Sequence, residues 1–99
     1  MVDDIARLPA SEIAGRVLAG ELLAADVAEA FLLRAEKIGP ALNTWITLDR
    51  EGALNQARII DEAVAEGKDP GPLAGVPVGL KDIIDVAGLR TTAGSLILK

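Results

Sequence analysis

Residues 71–82 read GPLAGVPVGLKD, and this stretch does most to indicate the fold and chemistry of the chain. Its glycines and prolines set the path of the backbone rather than fill a core. Aliphatic residues alternate with small or polar ones, which predicts a strand over about 76–82 with Lys81 on the face opposite the aliphatic side chains. Gly79 leaves room on the same face as the amine. Lys81 is therefore the candidate catalytic residue.

Three helices are predicted upstream of this strand, because apolar residues recur there at steps of three and four. The predicted helices span about 11–18, 24–38 and 52–66. Gly20, the pair Gly39-Pro40 and Gly67 are the expected C-terminal stops. The β-branched and aromatic stretch 45–48 predicts another short strand. A length of 99 residues suits one small domain.

Composition excludes several classes of function. The net charge is −5 and no basic cluster is present, so neither direct nucleic-acid binding nor binding to an anionic membrane is expected. The chain has no cysteine and no histidine, which removes thiolate chemistry and the commonest metal ligand and general base. No cofactor is expected. Residues 1–4 are acidic where a signal peptide would be basic, and no stretch approaches the roughly 20 apolar residues of a membrane span, so a cytoplasmic location is expected.

The hydrophobic content is unusual for a small domain. It reaches 51%, yet Phe31 and Trp45 are the only aromatic residues, so alanine and aliphatic side chains must form the core. This composition favours helices. It also suggests apolar surface intended for a partner or for another part of a longer chain.

Two interpretations of Lys81 follow from its position. A lysine that ends an apolar strand is most often a surface residue whose amine reaches solvent. Alternatively, burial would lower the pKa of its amine and allow it to act as a general base. The neighbouring Asp82 opposes the second interpretation unless strand alternation points it to the other face.

Two other kinds of site do not fit the residues. A phosphate-binding loop needs its lysine directly after a glycine and a hydroxyl after the lysine, whereas here Leu80 precedes Lys81 and Asp82 follows it. The acidic residues of the third helix favour a solvated face over a metal site. They are Glu51, Asp61, Glu62 and Glu66. No metal site is predicted.

The whole segment 71–95, GPLAGVPVGLKDIIDVAGLRTTAGS, closely resembles the lysine-bearing part of the amidase signature family of serine amidohydrolases. The upstream helices and the Thr47-Leu48-Asp49 strand end are also similar to the N-terminal region of that family. The resemblance implies an α/β/α fold around a large mixed sheet, of which this chain holds the N-terminal helices and first strands. By this resemblance the chain is identified as an N-terminal piece of a single amidase domain, and that domain is incomplete in these 99 residues.

The resemblance also implies a mechanism. In that family a serine attacks a carboxamide, a second serine with a cis peptide bond relays the proton, and a lysine is the base; Lys81 matches that lysine. The two serines belong to a downstream glycine- and serine-rich segment, whereas this chain has only Ser11 and Ser95. The 99 residues are therefore expected to be inactive alone. Leu23 departs from the family pattern, because a serine helix cap is common at its position in relatives, and Ile83 stands where a polar residue often follows the Lys-Asp pair.

Three functions stay open on the sequence alone. The first is the base-bearing part of an amidase that releases a carboxylic acid and ammonia or an amine from a small-molecule amide. The second is the transamidating A subunit of a tRNA-dependent amidotransferase. The third is a non-catalytic interaction module that uses its aliphatic surface, and self-association into a homo-oligomer also stays open.

Overall fold

The structure, a computed structural model, describes residues 2–42, 45, 47–81, 84 and 86–89. The described part of the chain contains four helices, namely α1 (Val2–Ile5), α2 (Ala10–Leu18), α3 (Ala24–Leu42) and α4 (Arg50–Ala65). The last three lie where the sequence predicts helices. The single turn α1 has no counterpart among the predictions.

Helix α2 begins after Pro9, whose fixed φ suits a chain entering a helix. It ends where predicted, because Gly20 adopts a φ of 78°. The amide of Glu21 then donates to the carbonyl of Arg16 at 2.9 Å, which satisfies one of the free carbonyls of the last turn. The sequence thus predicts both ends of this helix to within a residue.

Helix α3 is longer than predicted, because it continues through Gly39-Pro40 to Leu42. Proline has no amide hydrogen and cannot donate to the carbonyl four residues earlier, but this loses one bond in the last turn and does not stop the helix. Gly39 is buried in this turn. It serves packing rather than termination.

Helix α4 begins at a cap that the apolar spacing does not reveal. Asp49 accepts a hydrogen bond from the amide of Gly52 at 3.2 Å, which is the contact an N-cap side chain makes. At the other end Gly67 has a φ of 76° and the amide of Lys68 donates to the carbonyl of Ala63 at 2.8 Å. The predicted stop at Gly67 is confirmed.

The core lies where α3 packs against α4, with α1 against α3 and α2 against α4. Its largest fully buried side chains are Ile13, Val17 and Val27. The remaining cluster is dominated by alanines, which allow the helices to approach closely. These core residues are Ile5, Ala24, Ala28, Ala30, Ala57 and Ala74.

The predicted strands are not present among the described residues. Residues 45, 47, 48 and 76–81 carry no strand, and Ile46 and Asp82 lie outside the described part. A strand needs a neighbour to pair its backbone N–H and C=O groups, and none of the described residues supplies one. The described part is therefore helical, and the expected α/β class with a mixed sheet is corrected to that extent.

Candidate functional site around Lys81

The segment that leads to Lys81 is anchored to the helical core at Gly75. This glycine has a φ of 76°, and a β-carbon placed on it would lie 2.9 Å from Val17 Cγ2 and 3.3 Å from Ala24 Cβ. Both the backbone conformation and the space therefore require glycine. The preceding Ala74 is 2% exposed. The segment that leads to Lys81 therefore starts at two residues, Ala74 and Gly75, that are packed against the helical core.

A second anchor is made by the indole of Trp45. A β-carbon on Gly79 would lie 3.2 Å from Trp45 Cη2, and one on Gly39 would lie 2.8 Å from Trp45 Cδ1. The ring therefore lies against the last turn of α3 and against the segment before Lys81. Neither glycine has a φ in the left-handed region, so what each supplies is space for the ring.

Lys81 itself lies on the surface. Its side chain is exposed, and no carboxylate among the described residues forms an ion pair with it. Its carbonyl accepts a hydrogen bond from the amide of Ile84 at 3.0 Å. The solvent exclusion that a neutral lysine base needs is not supplied by the described residues. The catalytic role of Lys81 stays a prediction.

Asp61 has a structural role that its place in the sequence does not indicate. Its carboxylate accepts hydrogen bonds from the amides of Ala24 and Ala25 at 2.6 and 3.0 Å. The side chain on α4 thereby caps the start of α3, where Leu23 has no polar group to do so. The local loss of a cap expected at Leu23 is thus compensated from a distant helix. No one-dimensional pattern reveals this pairing.

Arg50 joins the same two helices by ion pairs. Its guanidinium forms two hydrogen bonds with the carboxylate of Glu29 and lies 3.6 Å from Glu36. Glu29 and Glu36 are two helical turns apart and share a face of α3, a pattern present in the sequence. All three side chains are about 40% exposed, so the pairs contribute little to stability.

Other chemistry is sparse in the described residues. No group of three acidic or other ligating side chains is close enough to hold a metal ion within the described part. Ser11 is exposed in the first turn of α2, and Ser95 lies outside the described residues. No helix in the ranges that the structure covers is both long and apolar enough to cross a membrane.

Comparison with known proteins identifies a family. The model of the Amidase family matches residues 26–99, which is most of the chain and includes Lys81. The match therefore covers α3 from its third residue onward, all of α4 and the whole lysine segment. No solved structure matches the chain.

The chain is also similar to curated proteins whose name is the A subunit of glutamyl-tRNA(Gln) amidotransferase. It is 48% identical over 98 residues to that of Streptomyces coelicolor, which is 99% of this chain and 20% of the relative. The identity is 47% over 92 residues for Carboxydothermus hydrogenoformans, covering 93% and 19%, and 44% over 93 residues for Chlamydia pneumoniae, covering 94% and 19%. The chain thus spans about a fifth of the length of these relatives.

The names of these relatives bear on the expected partners. They refer to a tRNA and to one subunit of an assembly, which conflicts with the expectation that no nucleic acid is contacted directly. The net charge of −5 describes only these 99 residues. Because they span a fifth of such a relative, the charge argument does not extend to the other four-fifths.

Proposed function

The chain belongs to the amidase family, and on that basis we propose that it is the lysine-bearing N-terminal part of the A subunit of a tRNA-dependent amidotransferase. The observation that carries this proposal is 44–48% identity, over nearly the whole chain, to proteins with that name from three genera. A general amidase is the coarser form of the same assignment. The tRNA-dependent form is preferred because these relatives share it.

The proposed chemistry needs a residue that this chain has and residues that it lacks. The Lys81 amine takes a proton, relayed by one downstream serine, from the hydroxyl of another. The deprotonated oxygen attacks the carboxamide carbon, the protonated lysine returns its proton through the relay to the nitrogen, and the C–N bond breaks with release of ammonia. Water then hydrolyses the acyl ester to a carboxylic acid. The ammonia then attacks the glutamyl group on tRNA after a nucleoside triphosphate has activated its carboxylate as an acyl phosphate, and phosphate leaves as the glutaminyl amide forms.

The anchoring of the segment supports this role for Lys81. A general base must be held within hydrogen-bond reach of the group it deprotonates. Gly75 holds the start of the segment on the core, and Gly79 lies against Trp45 two residues before the lysine. Such a held backbone suits a residue whose position matters.

The test begins with the coding region after Lys99, where the proposal requires a glycine- and serine-rich segment. The full-length protein is then assayed for ammonia release from carboxamide amino acids and for conversion of glutamyl-tRNA(Gln) to glutaminyl-tRNA. Lys81→Ala is expected to lower kcat for ammonia release by about 10²–10⁴-fold, as loss of a general base does. Lys68→Ala is the matched control, because Lys68 is a surface lysine whose ion-pair partner among the described residues is Glu66 at 2.9 Å.

Each outcome separates the candidates. Retained activity in Lys81→Ala removes this lysine as the base. Ammonia release without any glutaminyl-tRNA, in the presence of the partner subunits, leaves the general amidase. Absence of a downstream serine segment would favour an interaction module, for which the exposed aliphatic residues of the chain are the supporting observation.

A further inference from the structure

We propose that Trp45 is a positioning residue for the reaction, which holds the main chain of Lys81 at a set distance from α3. The indole of Trp45 lies between Gly39 and Gly79, and the space that these two glycines leave for it is called its seat below. This inference rests on the proposed function, because it assigns a role to Trp45 only if Lys81 is the base.

The first side of the seat is on α3. Gly39 is buried in the last turn of the helix, and a β-carbon there would lie 2.8 Å from Trp45 Cδ1 and 3.5 Å from Trp45 Nε1. The five-membered part of the indole therefore lies directly on helix backbone. Any side chain at this position would displace the ring.

The second side of the seat is on the lysine segment. A β-carbon on Gly79 would lie 3.2 Å from Trp45 Cη2 and 3.6 Å from Trp45 Cζ3. These atoms belong to the six-membered part of the ring, so the two glycines contact opposite ends of one indole. Because the indole is rigid, it acts as a spacer between α3 and the segment.

The position of Lys81 follows from this contact. The lysine is two residues after Gly79, and its carbonyl accepts a hydrogen bond from the amide of Ile84 at 3.0 Å. Its main chain is therefore held on one side by the indole contact at Gly79 and on the other by the hydrogen bond from Ile84. Trp45 acts on the amine through the backbone, which is why it is a positioning residue and not a catalytic one.

The seat can be tested in the full-length protein with every tryptophan other than Trp45 replaced by phenylalanine, so that the fluorescence reports the environment of Trp45 alone. Gly39→Ala and Gly79→Ala are each expected to shift the emission to the red and to increase quenching by acrylamide. Gly15→Ala is the control, since Gly15 is also a helical glycine but has nothing within 4 Å of an added β-carbon. Circular dichroism verifies that helix content is retained. Spectra identical to wild type in both seat variants would overturn the proposal.

The role in catalysis is tested in the full-length protein. Trp45→Ala is expected to lower kcat by about 10²-fold with KM unchanged, the effect of a misplaced catalytic group. Trp45→Phe, which keeps an aromatic spacer, is expected to recover most of the loss. Leu42→Ala is the control, because Leu42 lies in the same turn of α3 and is 69% exposed.

Failure of this inference and failure of the proposed function have different signatures. If Lys81→Ala is inactive and Trp45→Ala matches Leu42→Ala in kcat, the spacer is wrong and the base assignment stands. If Trp45→Phe loses as much kcat as Trp45→Ala, the ring is not a spacer and the proposal is overturned. If Lys81→Ala is fully active, both fail.

Discussion

Gly75 is the residue at which the lysine segment meets the helical core. Its φ of 76° lies in the left-handed region, and the methyl groups of Val17 occupy the space next to its α-carbon. Two separate physical requirements therefore apply at one position. The sequence shows a glycine there but does not distinguish a turn residue from a packing residue.

Substitution of Gly75 by alanine is expected to be more costly than the same change at Gly67. Gly67 has the same φ of 76°, but nothing lies within 4 Å of an added β-carbon. Gly67→Ala therefore carries only the left-handed strain of about 1–2 kcal/mol. Gly75→Ala adds overpacking against Val17, which costs about 1–3 kcal/mol more. Urea denaturation of both variants measures the difference, and equal losses would mean that Val17 moves aside freely.

At the scale of secondary structure, the start of α3 depends on a side chain of α4. The carboxylate of Asp61 binds two amides of the first turn, which would otherwise lack partners. It also places a negative charge at the positive end of the helix dipole. The helix therefore has its cap only when α4 is packed beside it, and the two helices are expected to form cooperatively.

Asp61→Ala is accordingly expected to lower the free energy of unfolding by about 1–2 kcal/mol, the usual loss for an N-cap. Asp61→Asn should lose less, because its amide oxygen still accepts one hydrogen bond while the charge is gone. The neighbouring exposed Glu62 provides the control, with Glu62→Ala expected to change the free energy by less than about 0.5 kcal/mol. Thermal and urea unfolding measure all three. A loss in Asp61→Ala no greater than in Glu62→Ala would exclude the cap.

At the scale of the whole molecule, the described part after α4 exposes much apolar surface. Its large exposed aliphatic residues are Leu73, Val78, Leu80, Ile84 and Leu89, with exposures from 37% to 71%. The stretch 76–81 also has no strand neighbour among the described residues. Unpaired backbone beside exposed aliphatic side chains promotes association between chains.

The 99-residue chain is therefore expected to bind a hydrophobic dye such as ANS and to associate as its concentration rises. Val78→Lys should reduce both, because Val78 is 71% exposed within this stretch. Ile59→Lys is the control. Ile59 is similarly exposed at 65%, but it lies on α4, which packs against α3 and has its backbone hydrogen bonds within the helix. Sedimentation velocity over a range of concentrations measures the association. A monomer at every concentration would contradict the expectation.

Local patterns in the sequence were sufficient to predict several features of the chain. Apolar spacing and the glycines at positions 20 and 67 predict three helices and two of their ends, because these depend on contacts within a few residues. The segment around Lys81 is sufficient to identify the family, and the match over residues 26–99 confirms this identification. The predicted strand over 76–82 is absent from the described residues 76–81, because a strand depends on a partner strand whose place in the sequence no local pattern fixes.

The remaining features depend on residues that only packing brings together. The cap of α3 comes from Asp61, and the space at Gly39 and Gly79 is filled by Trp45. None of these contacts belongs to a periodicity or a motif that the sequence displays. Helix ends and family membership can be read from neighbouring residues, whereas caps, seats and anchors arise when the chain folds and separate segments come within contact distance.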